Sequence, residues 1–162
     1  MKTNRKVELF SIGIAIFISM VGCVAKGPVF TPVDAPNEKS LIYLYRESKV
    51  TGSGNVFTVF ANRQPITDLR VGGYFPFEIE PGQVEFRAVN HLRPPLVWSV
   101  VDHIVLKKKV LLCIRAVAGQ THYVRLDHGF GYVRMFEVKE QEAFERIKKL
   151  HLSNDRRNEP AQ

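Results

Sequence analysis

The chain has 162 residues and a formal net charge of +7, a size that suits one domain around one core and leaves little room for a second. Its arginines are spread along the sequence, at Arg63, Arg70, Arg87, Arg93, Arg115, Arg125 and Arg134, which describes a solvated surface, with anionic lipid headgroups or an acidic partner as the alternatives. The run Lys107–Lys109 comes without a recognition-helix pattern, so no nucleic-acid partner is expected.

The opening "MKTNRKVELFSIGIAIFISMVGC" has the parts of an export signal: Lys2, Arg5 and Lys6 at its head, an apolar middle from Leu9 to Val21, and small Gly22 at its exit. The uncharged stretch ending at Ala25 falls short of the roughly 20 residues of a bilayer crossing, and Lys26, Gly27 and Pro28 then stop a helix. Met20, Val21, Gly22 and Cys23 resemble the lipobox of bacterial lipoproteins. That resemblance implies cleavage after a signal peptide of residues 1–22 and acylation of the Cys23 thiol. Several acyl chains together anchor stably, at about 0.8 kcal/mol per buried methylene. An uncleaved anchor helix and ordinary cleavage after Ala25 are the alternatives. In the resembling lipoproteins Asp after the acylated Cys favours the inner membrane; Val24 stands there, which implies the outer membrane with the domain facing the periplasm. Residues 1–22 carry a net charge of +2, so removing them leaves +5 on the remaining 140 residues.

Residues 23–39, with Pro28, Pro32 and Pro36 and no periodicity, read as an acylated N-terminus and a tether. "SLIYLYR" then begins the domain as a strand, with Leu41, Tyr43 and Tyr45 on one face, Ile42 and Leu44 on the other, both buried. "ESKVTGSGN" is a loop. "VFTVFA" and "QPITDLR" are strands joined tightly through Asn62 and Arg63. "VGGY" bends the chain, "YFPFEIE" runs on, Pro81 and Gly82 turn it, and "QVEFRAV" points Val84, Phe86 and Ala88 inward. Residues 90–104, with two prolines and Trp98, read as an excursion or edge hairpin. Strands return in "VLLCIRAVA", "THYVRLD" and "YVRMFEV".

In "KEQEAFERIKKLHL", Ala143, Ile147 and Leu150 with Phe144 fall at helical spacing and Glu142 precedes Arg146 by one turn, predicting a short amphipathic helix over one sheet face or edge. Residues 153–162 read as a frayed tail. The predicted fold is an all-β, antiparallel, immunoglobulin-like β-sandwich over residues 40–152 with a short C-terminal α-helix.

The order of these pieces resembles the bacterial lipoprotein family catalogued as domain of unknown function 2846. The residues that carry the likeness are Tyr45 and Arg46, Gly72 to Phe75, Pro81 and Gly82, and Gly119 through Val124, within residues 40–138. The resemblance implies compartment and fold, and no chemistry.

No reaction is legible. His122, Asp127 and His128 are close in sequence, yet Asp127 has the opposite strand parity to both histidines, and surface positions are expected for them. Ser53 lacks a nucleophile elbow, and "TGSGN" lacks the Lys-Ser/Thr of a phosphate loop. Glu78, Glu80 and Glu85 look like solvent-side residues of neighbouring strands. Cys113, in apolar "VLLCIRAV", is expected to be a buried, inert thiol once Cys23 is committed to lipid. The chain is therefore read as a non-enzymatic envelope module, without catalytic residues, cofactor or metal, that binds or scaffolds a protein or cell-wall partner. Tyr74, Trp98 and Phe130 are the candidate contacts for a glycan or peptide, although aromatics of a small sandwich belong first to its core.

Overall fold

A computed structural model describes residues 24–49, 54–90, 109–129 and 132–155. Residues 1–22, expected to be an export signal, and Cys23, Ser53, Lys107, Lys108, Trp98, Phe130 and residues 156–162 lie outside the described residues.

Among the described residues ten strands and one helix follow one another: β1 Ser40–Arg46, β2 Phe57–Ala61, β3 Gln64–Leu69, β4 Gly73–Ile79, β5 Gly82–Asn90, β6 Leu112–Ala116, β7 Thr121–Gly129, β8 Tyr132–Val138, α1 Glu140–Ile147, β9 His151–Leu152 and β10 Asn154–Asp155. They form two five-stranded sheets, ordered β8-β7-β1-β4-β9 and β10-β3-β2-β5-β6. The described residues form an all-β sandwich with one short helix.

It is not purely antiparallel. β1 pairs antiparallel with β4 but parallel with β7, Leu41 to Tyr45 lying opposite Thr121 to Arg125. β9 also runs parallel to β4. A parallel neighbour needs a long crossover. The chain supplies one by building four strands of the second sheet, and β4 of the first, between β1 and β7. Strand spacing reads only successive hairpins and does not register such a return.

The main core lies between the sheets, where Ile42 and Leu44 meet Phe57, Val59, Leu69, Phe75, Phe86, Val124 and Leu126. The other face of β1 supplies a second core: Leu41, Tyr43 and Tyr45 pack with Phe30, Tyr74, Tyr123, Ala143, Ile147 and Leu150. β1 is thus buried along its whole length on both faces, as its sequence predicts. Tyr43 stacks on its cross-strand partner Tyr123 with ring centroids 5.4 Å apart. The helix covers this face through Ala143 and Ile147, and Arg146 Nη2 donates to Glu142 Oε1 at 2.9 Å one turn away.

The segment expected to be a tether is part of the domain. Phe30 is 8 % exposed and sets its ring edge-on to Tyr43 and Tyr74, with centroids 5.1 and 5.2 Å away. The backbone N–H groups of Ala25, Gly27 and Phe30 donate to Val71, Leu152 and Leu150, and Leu152 N–H donates back to Pro28. The prolines prevent regular strand pairing without preventing burial of Phe30, while Val29 and Val33 stay exposed. The tail corrects in the same way at its start: Ser153 is buried, and Asn154 and Asp155 pair with Asp68 and Thr67 of β3.

Two turns fix the chain path. Asn62 and Arg63 both have positive φ, 47° and 71°, as a two-residue hairpin with the twist of its strands requires. Asn62 also ties this turn to β5: its N–H donates to Glu85 O, and its Oδ1 accepts from Glu85 N–H, both at 3.0 Å. At the bend before β4, Gly72 has φ 67°, and a Cβ on Gly73 would collide with Ser153 Oγ and the Arg70 carbonyl.

Candidate functional site

Titratable side chains converge at one end of the sandwich, where β1 ends and β8 begins. Arg46, the last residue of β1, is 5 % exposed; its Nη1 donates to Asn55 O at 2.6 Å, and its guanidinium lies 5.0 Å from the Phe57 ring centre. Burial lowers its pKa to about 10, against the opposing pull of the Asp127 charge.

Asp127 is the hub of the neighbouring face. Lys49 Nζ donates to Oδ1 at 2.6 Å, Arg134 Nη2 donates to Oδ2 at 3.1 Å, and Arg125 Nη2 lies 4.0 Å away. Burial by itself would raise this carboxyl. The hydrogen bonds from Lys49 and Arg134, with the charges of Lys49 and Arg125, outweigh burial and hold it below its usual value. Arg125 carries the network onward to Glu47 at 2.9 Å, and Glu47 accepts at 2.8 Å from Arg146 Nη1 of α1. The helix is thereby clamped to the sheet end. Arg125 and Arg134 also lie over the Phe136 ring, at 5.5 and 5.8 Å from its centre.

A carboxylate saturated by cations is an ion-pair anchor and a poor proton acceptor at neutral pH. The cleft among Arg46, Glu47, Lys49, Arg125, Asp127 and His128 measures about 10 Å³, room for one water.

The three clustered residues of β7 are separated. Tyr123 and Asp127 face away from the main core, Tyr123 into the second core; Val124 and Leu126 face the main core, and the histidines share their parity. His122 and His128 therefore sit near opposite ends of one strand face, about 20 Å apart at 3.3 Å per residue. His122 Nδ1 is 2.6 Å from Glu137 Oε1, while His128 Nε2 is 3.2 Å from Asn55 Nδ2 and its ring lies against Phe57. Both are half-buried rather than surface residues. Glu78 lies on β4 and Glu85 on β5, in different sheets. Glu80 pairs with Lys39 at 3.8 Å, and Glu85 with Arg87 at 3.3 Å. Among the described residues no group of three or more His, Cys, Asp or Glu could hold a metal, and no helix is long and apolar enough to cross a membrane.

Two further expectations are corrected. Tyr74 is 5 % exposed and belongs to the second core against Phe30, because β4 turns this residue toward the docked N-terminal segment. Trp98 and Phe130, the other candidate aromatics, lie outside the described residues. Cys113 is exposed, because Ile114 and Ala116 are the inward residues of β6; its sulfur accepts from Gln83 Nε2 at 3.2 Å.

Sequence reasoning missed the network of Arg46, Glu47, Lys49 and Arg146. The equal parity of Arg125 and Asp127 was the one available signal; the contact between Glu47 and Arg146, 99 residues apart, had none. No family model, curated protein or solved structure matches this chain.

Proposed function

We propose that this chain is a non-enzymatic lipoprotein of the bacterial cell envelope, acylated at Cys23, held in the outer membrane facing the periplasm, and acting there as a binding or scaffolding module. The observation that carries the reading is the run from Leu9 to Val21 ending in Gly22 and Cys23, behind the basic head of Lys2, Arg5 and Lys6. Val24 in place of Asp after the cysteine supports the outer membrane. Confinement to a surface raises the local concentration of the domain around envelope partners, and no bond need be broken.

The saturated Asp127 network and its water-sized cleft support a structural part for these charges rather than a catalytic one. Membership of the family catalogued as domain of unknown function 2846 and an immunoglobulin-like subtype belong to the same proposal. Two five-stranded sheets enclosing one core support the subtype, whereas the central parallel pair departs from its simplest antiparallel form.

Mass spectrometry of the product from membranes tests the anchor. The expected result is a chain starting at Cys23 with acyl mass on that residue, and loss of the acyl mass and of membrane retention in Cys23→Ser. An unacylated amino terminus, or a chain retaining Met1, overturns it.

A further inference from the structure

The strand registers sort charge along the sandwich. Arg46 lies opposite Gly73, Tyr45 opposite Arg125, and Asp127 opposite Arg134, so these residues occupy one end. Val24 bridges Val71 at the bend before β4, and Arg146 reaches Glu47, which brings the N-terminal segment and the last turn of α1 to the same end. Lys26, Arg46, Lys49, Arg70, Arg125, Arg134 and Arg146 gather there against Glu47, Asp68, Asp127 and Glu142. At the other end Glu38, Glu78, Glu80, Glu85 and Glu137 accompany Lys39, Arg63, Arg115 and Lys139.

A hollow of about 280 Å³ opens at the basic end beside Val24, lined among others by Lys26, Arg70, Leu152 and Ser153. Ser153 is 5 % exposed, and its Oγ has no hydrogen-bond partner among the described residues.

We propose that this basic end is a contact surface for anionic lipid headgroups, with the hollow beside Lys26 and Arg70 receiving a headgroup phosphate. The proposal rests on anchoring through Cys23. Val24 is pinned to Val71, so a single peptide step, about 3.8 Å between Cα atoms, separates the acylated position from the basic end. With the segment that follows docked on the domain, no spacer lifts that end away from the membrane. Each basic side chain near an anionic surface strengthens partitioning about fivefold, equivalent to about 1 kcal/mol.

The test uses the full chain purified from membranes and reconstituted into vesicles of phosphatidylcholine alone or with phosphatidylglycerol added. Amine-reactive labelling is read by peptide mass spectrometry at Lys26 and, as the reference at the far end, at Lys139; both are exposed. The same spectra report acylation of Cys23.

The expected result is labelling of Lys26 reduced several-fold relative to Lys139 in the anionic vesicles only. The protection should disappear in about 1 M salt, where the screening length falls to about 3 Å, and weaken in Arg70→Glu. Should Arg70→Glu fail to fold, the contrast between the two vesicles of the unaltered chain decides alone. Equal labelling in both vesicles with Cys23 acylated overturns the contact surface and leaves the anchor standing. An unacylated Cys23 with Lys26 protected overturns the anchor and retains the surface, and an unacylated, unprotected chain overturns both.

Discussion

Replacing Asp127 by Asn keeps the side-chain shape and removes the charge on which Lys49, Arg125 and Arg134 converge. Truncating one member of a fully buried charge pair costs about 3–5 kcal/mol, because the partner is left in a dry site. That limit does not apply in full: the side chains of Lys49 and Arg134 are 44 % and 63 % exposed and rehydrate, so their two bonds together account for about 1 kcal/mol. Arg46 and Arg125 are far less exposed and lose a compensating charge they cannot replace with water, which adds about 1–2 kcal/mol. The expected loss is therefore about 2–3 kcal/mol, measured by urea unfolding of the full chain at neutral pH.

The pH dependence is fixed by sign. A carboxyl whose pKa is lower folded than unfolded contributes stability above its unfolded value, and that contribution drains away as pH falls through the folded value. The deficit of Asp127→Asn should be complete at pH 7 and shrink below about pH 4, as the native carboxyl becomes neutral as well. A deficit under about 0.5 kcal/mol at pH 7, or one that persists unchanged in acid, would refute the ion-pair hub.

Phe30→Ala should destabilise the domain by about 3 kcal/mol, the low end for a buried Phe because the segment can detach as a unit, and should open residues 24–36 to protease; unchanged unfolding and digestion would restore the free tether. Tyr45→Phe should leave stability unchanged or raise it by up to about 1 kcal/mol, since the Tyr45 hydroxyl is buried without a hydrogen-bond partner among the described residues and burial pushes its pKa up to about 12. A thermal-unfolding loss above about 1 kcal/mol would show that the hydroxyl is satisfied.

Local chemistry made much of this protein readable. Alternation in "SLIYLYR" gave a strand buried on both sides, Asn62 and Arg63 gave a two-residue turn, and the spacing of Ala143 and Ile147 gave the helix and its buried stripe, from which Leu150 falls beyond the helix end and Phe144 is exposed. These signals lie within a few residues of one another, where backbone sterics and side-chain period act directly. Cys113 was misread because an apolar run does not state which parity faces the core; pairing with β5 decided that. Tyr74 was misplaced because the partner that buries it, Phe30, sits in a proline-rich segment with no period.

The amino-acid sequence by itself determined strands β1 to β8 and their turns, the C-terminal helix, and the basic, apolar, small-residue pattern that ends at Cys23, since each depends on residues adjacent in the chain, whereas β9 and β10 were read as helix and tail. Tertiary structure alone decided the parallel return of β7 onto β1, the docking of residues 24–30, and the gathering of Glu47, Arg125, Asp127 and Arg146 at one end. Those contacts join residues far apart in sequence, and their free energy exists only once two buried faces of the same sheet have been filled.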